Sequence, residues 1–153
     1  MKDFLRNGGQ WVVAQSVLML AVLGLGPSLR NPSWPWSCLA FGAALFVFGG
    51  WLGLAGVRAL GRNRTALPKP RPDSALVQHG VYGVVRHPLY SSLMFTAVGW
   101  SLLWGSGAAL TAAGALTLLL HAKARREERW LRERYAEYRD YEQRVKRFIP
   151  RLW

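Results

Sequence analysis

Residues 90–121 run for 32 positions without one formally charged side chain, and no other feature of the chain limits its fold so strongly. A charge-free stretch of that length exceeds the ~20 residues that cross ~30 Å of hydrocarbon. As one helix it would reach ~48 Å at ~1.5 Å per residue, so two shorter arms are expected. The Gly105-Ser106-Gly107 cluster near its middle supplies the break. The arms then cover 88–104 and 107–121, and both are short enough to tilt or to thin the bilayer locally. Two further apolar runs, 11–29 and 36–57, precede the hairpin. In lipid every backbone polar group must be bonded internally, and helices do this within one segment. The expected fold class is all-α: a single polytopic membrane domain over 1–153, with about four transmembrane helices and a C-terminal amphipathic helix.

The segments between the spans carry the charge. Lys2 and Arg6 precede the first run, which is longer than a usual signal-peptide core and is followed by no A-x-A-like site; it reads as a retained span. Prolines 32 and 35 close a tight connection, with Trp34 and Trp36 suited to the membrane interface. Gly42, Gly49, Gly50, Gly53 and Gly56 recur along the second run as in small-xxx-small helix packing. The 58–71 loop is basic and contains prolines. A formal charge of +12 would suggest nucleic acid for a soluble chain. Here the cations flank apolar runs, so they read as topology signals and as contacts for anionic membrane lipids, and no nucleic-acid partner is expected. Their distribution implies a multi-pass integral membrane protein with both termini cytoplasmic. The lone Cys38 excludes an internal disulfide and any cysteine-based metal site, and no metal is expected.

From 122 the chain is charged and helical in type. Leu131, Tyr135, Tyr138, Val145 and Phe148 fall three, four or seven residues apart, or close to it, giving one apolar stripe. The expected tail helix covers 122–149 and would lie on the membrane or fold back over the hairpin.

The stretch 76–90, LVQHGVYGVVRHPLY, ends where the hairpin begins. Proline suits the first helical position, where its missing N–H costs nothing, so Pro88 starts a helix. Arg86 and His87 then stand at the helix's positive end, which favours a carboxylate or phosphate.

LVxxGVYxxxRHPxY, then an apolar hairpin, then EExxL and EYxxYxxRV, resembles the isoprenylcysteine carboxyl methyltransferase and phospholipid methyltransferase superfamily of integral membrane enzymes. The matching residues are Leu76, Val77, Gly80, Val81, Tyr82, Arg86, His87, Pro88 and Tyr90, then Glu127, Glu128, Leu131, Glu137, Tyr138, Tyr141, Arg144 and Val145. The resemblance covers residues 74–150, about half the chain. It implies S-adenosylmethionine as methyl donor, bound without a G-x-G-x-x-G strand-helix unit, and no such unit occurs here. By position, the cofactor would touch Ser74, Ala75, Leu76, Val77, Tyr82, His87, Pro88, Leu89, Tyr90 and Glu127, within a loop over 74–90 and the tail.

The chemistry of these residue types suits that role. His87 and the N–H groups after it would hold a carboxylate, Tyr82 or Tyr90 would face a sulfonium, and Glu127 would accept from ribose hydroxyls. Taken singly, the tyrosines read equally well as interface aromatics. Glu127 and Glu128 fit a solvated helical charge pattern with Lys123 and Arg132; the motif favours Glu127 over Glu128. Family members that methylate proteins place an arginine where Lys123 stands, facing the substrate. Lys123 and nearby Arg126 are therefore the substrate-side cations, although lysine lacks the bidentate fork. Tyr135-Ala136 also stands where the family often has Phe-Gly. The implied partner is a lipophilic small molecule or lipidated substrate. No catalytic base is assigned; Glu127 would serve only for an amine acceptor. The alternative is a non-catalytic membrane scaffold or partner subunit that retains the fold.

Overall fold

The computed structural model describes residues 8–65, 67 and 73–153, and they form an all-α protein. Of the basic residues, Lys2 and Arg6 before the first run and Lys69 and Arg71 of the 58–71 loop lie outside the described residues. Helix α1 is Gly9–Ser28, α2 Trp36–Leu60, α3 Pro88–Leu103, α4 Gly107–Arg134 and α5 Tyr138–Arg144, with 3-10 turns at Gly61–Asn63 and Gly80–Gly83. Among the described residues there is no strand, only one isolated parallel bridge between Val85 and Lys146.

The punctuation follows backbone chemistry. Pro88 occupies the first turn of α3. Gly105 adopts φ +61°, and a Cβ there would stand 2.7 Å from that of Trp34. Ser106 caps α4 by accepting from the Ala109 N–H at 3.2 Å, and its hydroxyl donates to the Leu25 carbonyl at 2.9 Å. The Asn31 N–H donates to the Trp104 carbonyl at 3.3 Å. Both short connections therefore meet at one end of the bundle. The loop before α3 and the tail lie at the other.

Three helices are long and apolar enough to cross a bilayer: α1, α2 with its following turn, and α4. The fourth expected span, α3, has 16 residues, so it rises only ~24 Å. Val17, Leu20, Trp36, Val47, Leu54 and Leu118 are exposed along the spanning helices, an outer surface suited to lipid. The chain is an integral membrane protein. α3 is fastened to α2 by small residues: a Cβ at Gly99 would lie 2.6 Å from the Gly42 carbonyl oxygen, and one at Gly49 2.8 Å from Thr96. The Ser92 hydroxyl donates to the Gly49 carbonyl at 2.7 Å. Close backbone approach is how helices associate where no hydrophobic driving force exists between them. Val22, Met94, Ala97, Ala113, Leu116, Leu120 and Phe148 form the main core.

The tail differs from the single 122–149 helix expected. α4 runs unbroken from its apolar arm through Arg134, so no boundary falls at 121–122. It stops at Tyr135, whose backbone is extended and whose hydroxyl donates to the Ser74 carbonyl at 2.7 Å. Helix resumes only for the seven residues of α5. Beyond it the backbone turns to the loop before α3: the Arg86 N–H donates to the Lys146 carbonyl at 2.8 Å and the His87 N–H to Arg147 at 3.0 Å. Those tertiary bonds replace helical ones. The apolar stripe is also divided, with Tyr138 and Val145 packed under Leu76 and Leu131, and Phe148 entering the main core.

Candidate functional site

The hairpin returns α4 to the end of the bundle where α3 began, and a cleft of about 810 Å³, open to solvent, forms there. Its walls come from the end of α2 (Leu60) and the 3-10 turn after it (Asn63), the 74–77 segment, the Tyr82 turn, the start of α3 and the charged half of α4. Ser74, Ala75, Leu76, Val77, Tyr82, His87, Leu89, Tyr90 and Glu127 all line it. Pro88 is fully buried and lies among the largest enclosed side chains, serving as the hinge that starts α3.

Each wall is fixed by named bonds. The Ala75 N–H donates to the Asn63 side-chain oxygen at 3.1 Å, tying the 74–77 segment to the turn after α2. Tyr135 holds the same segment from the tail, as noted above. The Tyr141 hydroxyl donates to the Tyr82 carbonyl at 2.6 Å, joining α5 to the 3-10 turn. Burial, reinforced by the Glu127 charge, pushes the Tyr82 phenol well above its ordinary range, so this ring stays neutral. The Tyr138 hydroxyl is buried and has no hydrogen-bond partner among the described residues.

Glu127 and Glu128 have opposite roles. Glu127 turns towards the cleft, with its side chain a quarter exposed, and accepts a 2.6 Å bond from the Tyr90 hydroxyl. Glu128 is fully enclosed and accepts from Arg86 at 2.7 and 3.1 Å, from Arg147, and from His87 Nε2 at 3.2 Å if that nitrogen carries the proton. Burial alone would raise the Glu128 pKa. Hydrogen bonds from His87 and Arg147, the charge of His87 and the bond from Arg86 outweigh it and hold the carboxyl well below the usual range. The glutamate favoured by sequence faces the cleft, and the one set aside is the centre of a buried ion network. Sequence offered no signal for that network: Glu128 reads there as part of a solvated charge pattern, and Arg147, 19 residues further on, could not be matched to it without the fold.

His87 is buried between these two acids. Its Nδ1 lies 3.9 Å from Glu127 and its ring stacks on Tyr90, with centroids 5.2 Å apart and planes 3° off parallel. The Lys123 ammonium lies 5.1 Å from the Tyr90 ring centroid and donates to the Gln15 side-chain oxygen at 2.8 Å. Tyr90's ring is thus already engaged, and of the two tyrosines expected to face a cation Tyr82 is the one left for it. Of the two expected substrate-side cations, Lys123 is buried beside Tyr90 against α1. Arg126 is exposed, stacked over Trp130 at 4.9 Å, and does not line the cleft. Asn63, Tyr135, Tyr138 and Tyr141 are cleft residues that sequence reasoning did not single out as site residues.

The fold and cleft define a polytopic membrane protein with an aromatic-walled pocket at the end of the bundle opposite its short connections. The phospholipid methyltransferase family model matches residues 37–138, two-thirds of the chain, and the chain belongs to that family of membrane methyltransferases. It is 33% identical over 146 residues to the nickel-cobalt-cadmium resistance protein NccN of Alcaligenes xylosoxydans xylosoxydans, covering 94% of this chain and 64% of that one. It is 31% identical to the cobalt-zinc-cadmium resistance protein CzcN of Cupriavidus metallidurans, over 94% of this chain and 63% of the relative. Protein-S-isoprenylcysteine O-methyltransferase B of Arabidopsis thaliana is 29% identical over 75% of this chain and 60% of its own length. The chain spans about three-fifths of the length of these relatives.

Proposed function

We propose that the chain is an S-adenosylmethionine-dependent methyltransferase that passes a methyl group to an isoprenoid or lipid-like acceptor carrying a carboxylate or similar nucleophile. The observation that carries the reading is the convergence on one cleft of the 74–77 segment, Tyr82, His87, Leu89, Tyr90 and Glu127, residues drawn from three separate stretches of chain.

The groups present fit the donor. Glu127 is a partly exposed carboxylate able to accept from ribose hydroxyls. Tyr82 offers a neutral aromatic face for a sulfonium. Tyr138 has an unmet hydroxyl, and His87 keeps Nδ1 free of the Glu128 bond at the positive end of α3. When bound, the donor would supply a methyl group activated by its sulfonium sulfur, which would leave as a neutral thioether. What the chain's residues do is orient and exclude: Tyr135 and Asn63 fix one lip, the Glu128 network fixes the other, and alignment alone can lower a barrier by ~7–11 kcal/mol in the best intramolecular cases. A carboxylate acceptor needs no base, so none is assigned; an amine would call on Glu127.

An apolar groove of about 540 Å³ supports a lipophilic acceptor. It is lined by Met19, Val22, Leu23, Phe46, Leu93 and Trp100, among others, within the membrane-spanning part of the bundle. Leu93 stands three residues from Tyr90 on α3, less than one helical turn, so groove and cleft are successive along one helix. Lys123 is the buried cation beside Tyr90 for an acceptor's carboxylate. The basic end of the bundle is the cytoplasmic one on the positive-inside rule, with both termini there.

A second reading, a non-catalytic partner subunit, is favoured by the names of two relatives, which are those of metal resistance proteins. Among the described residues no group of three or more His, Cys, Asp or Glu side chains is placed to hold a metal ion. The deciding experiment incubates the protein, in lipid, with methyl-labelled S-adenosylmethionine and a panel of membrane lipids and isoprenoid thiols, followed by mass spectrometry. A labelled lipophilic product is expected; donor binding without any labelled product would favour the partner subunit.

A further inference from the structure

On the far side of α4 from the cleft lies a second concavity of about 1000 Å³, bounded by Trp11, His121, Arg125, Arg129, Arg132 and Arg147. Three of these arginines follow one another at positions 125, 129 and 132 of α4, spacing that sets them on one helical face. The acid among its walls, Glu128, is already matched by Arg86, His87 and Arg147. Arg132 is paired with Glu142 at 2.7 Å. Arg125 and Arg129 are exposed and have no hydrogen-bond or ion-pair partner among the described residues. The concavity therefore carries two unmatched guanidinium groups.

Its depth relative to the bilayer narrows the choice of anion. Trp11 opens the first spanning helix, and His121 closes the apolar half of α4, so the arginines begin where hydrocarbon gives way to headgroups. Planar guanidinium forks match phosphate oxygens two at a time. A polar anion from bulk water would gain nothing from the apolar face of the Trp11 indole, whereas a lipid presents its phosphate at this level beside an apolar body.

We propose that this groove is a binding site for the phosphate headgroup of an anionic phospholipid, with Arg125 and Arg129 as its charge contacts and the Trp11 ring as its apolar wall. The lipid lies against Arg147, which also holds Glu128, so its binding and the buried network share one residue.

The test is native mass spectrometry of the protein released from micelles containing equal phosphatidylglycerol and phosphatidylcholine. Phosphatidylglycerol adducts should dominate for the unmodified protein. Arg125→Gln with Arg129→Gln should weaken them roughly thirty-fold, about five-fold for each juxtamembrane cation removed. Arg58→Gln with Arg62→Gln removes the same charge from exposed positions at the end of α2 and the turn after it, outside the groove, and should weaken binding far less than the first pair. The paired Arg125→Lys and Arg129→Lys variant keeps the charge but loses the fork, and should bind between the unmodified protein and the glutamine pair. Equal losses from the two glutamine pairs would mean diffuse attraction and would overturn the site. So would a lysine pair as weak as the glutamine pair, or equal retention of the two lipids by the unmodified protein. Displacement by millimolar inorganic phosphate would make it a site for free phosphate and overturn the lipid assignment.

Discussion

The Tyr90 hydroxyl donates a 2.6 Å hydrogen bond to the Glu127 carboxylate across 37 positions of sequence, joining the first turn of α3 to the charged half of α4. The bond closes one wall of the cleft and aims the one partly exposed carboxylate there. Tyr90→Phe keeps the ring, its stack on His87 and the Lys123 contact, and removes only that bond. S-adenosylmethionine affinity should fall by ~0.5–1.5 kcal/mol, about two- to twelve-fold, in a calorimetric titration, with little change in thermal unfolding.

Glu128→Gln should be the more damaging of the two adjacent glutamate changes for stability. It removes the charge that Arg86 and Arg147 share in a buried setting, a loss of ~3–5 kcal/mol where one partner of such a pair is deleted. Glu127→Gln leaves the network intact and should lower the unfolding temperature little. Thermal unfolding of both variants in the same detergent checks this; equal losses would count against Glu128 as the centre of the network.

The same network sets a dependence on pH. The Glu128 carboxyl is held well below the ordinary range in the folded chain, and it lies on the charged extension of α4 beyond the apolar span. A depressed carboxylate contributes its stabilisation fully above the unfolded value of about 4.3 and loses it as pH falls below that. The gap in unfolding temperature between the unmodified protein and Glu128→Gln should therefore be constant near neutrality and narrow progressively below pH about 4.3. A gap that widened on acidification would reverse the sign.

Two glycines in the membrane separate packing from chain flexibility. A Cβ at Gly99 would press on the Gly42 carbonyl and the Phe46 backbone at 2.6 Å, whereas one at Gly50 meets nothing within 4 Å. Gly99→Ala should destabilise by ~1–3 kcal/mol or force α2 and α3 apart. Gly50→Ala should be neutral or mildly stabilising, as expected from helix propensity. Unfolding of both in one detergent, by denaturant titration, would show it.

Much of this architecture was legible in the sequence because it rests on local chemistry. The apolar runs, Pro88 at a helix start and the Gly105-Ser106-Gly107 break act within a few residues of themselves, and the hairpin they imply brings His87 within 3.9 Å of Glu127. What escaped was set by distant partners. Nothing near Tyr135 stops a helix; the 74–77 segment does, 61 residues away. Glu127 and Glu128 differ by ~100° around α4, so which one faces the cleft depends on where α3 packs. Arg126 precedes Glu127 by one residue and is carried to the outer face by the same rotation.

The central claim is that the cleft binds S-adenosylmethionine through Glu127, and isothermal titration of the protein in lipid nanodiscs with that cofactor tests it most directly. The account predicts one saturable site, competed by S-adenosylhomocysteine, and a loss of ~1.5–3 kcal/mol, roughly ten- to hundred-fold, in Glu127→Gln at unchanged unfolding temperature. An absence of saturable binding, or equal affinity in the folded Glu127→Gln variant, would contradict it.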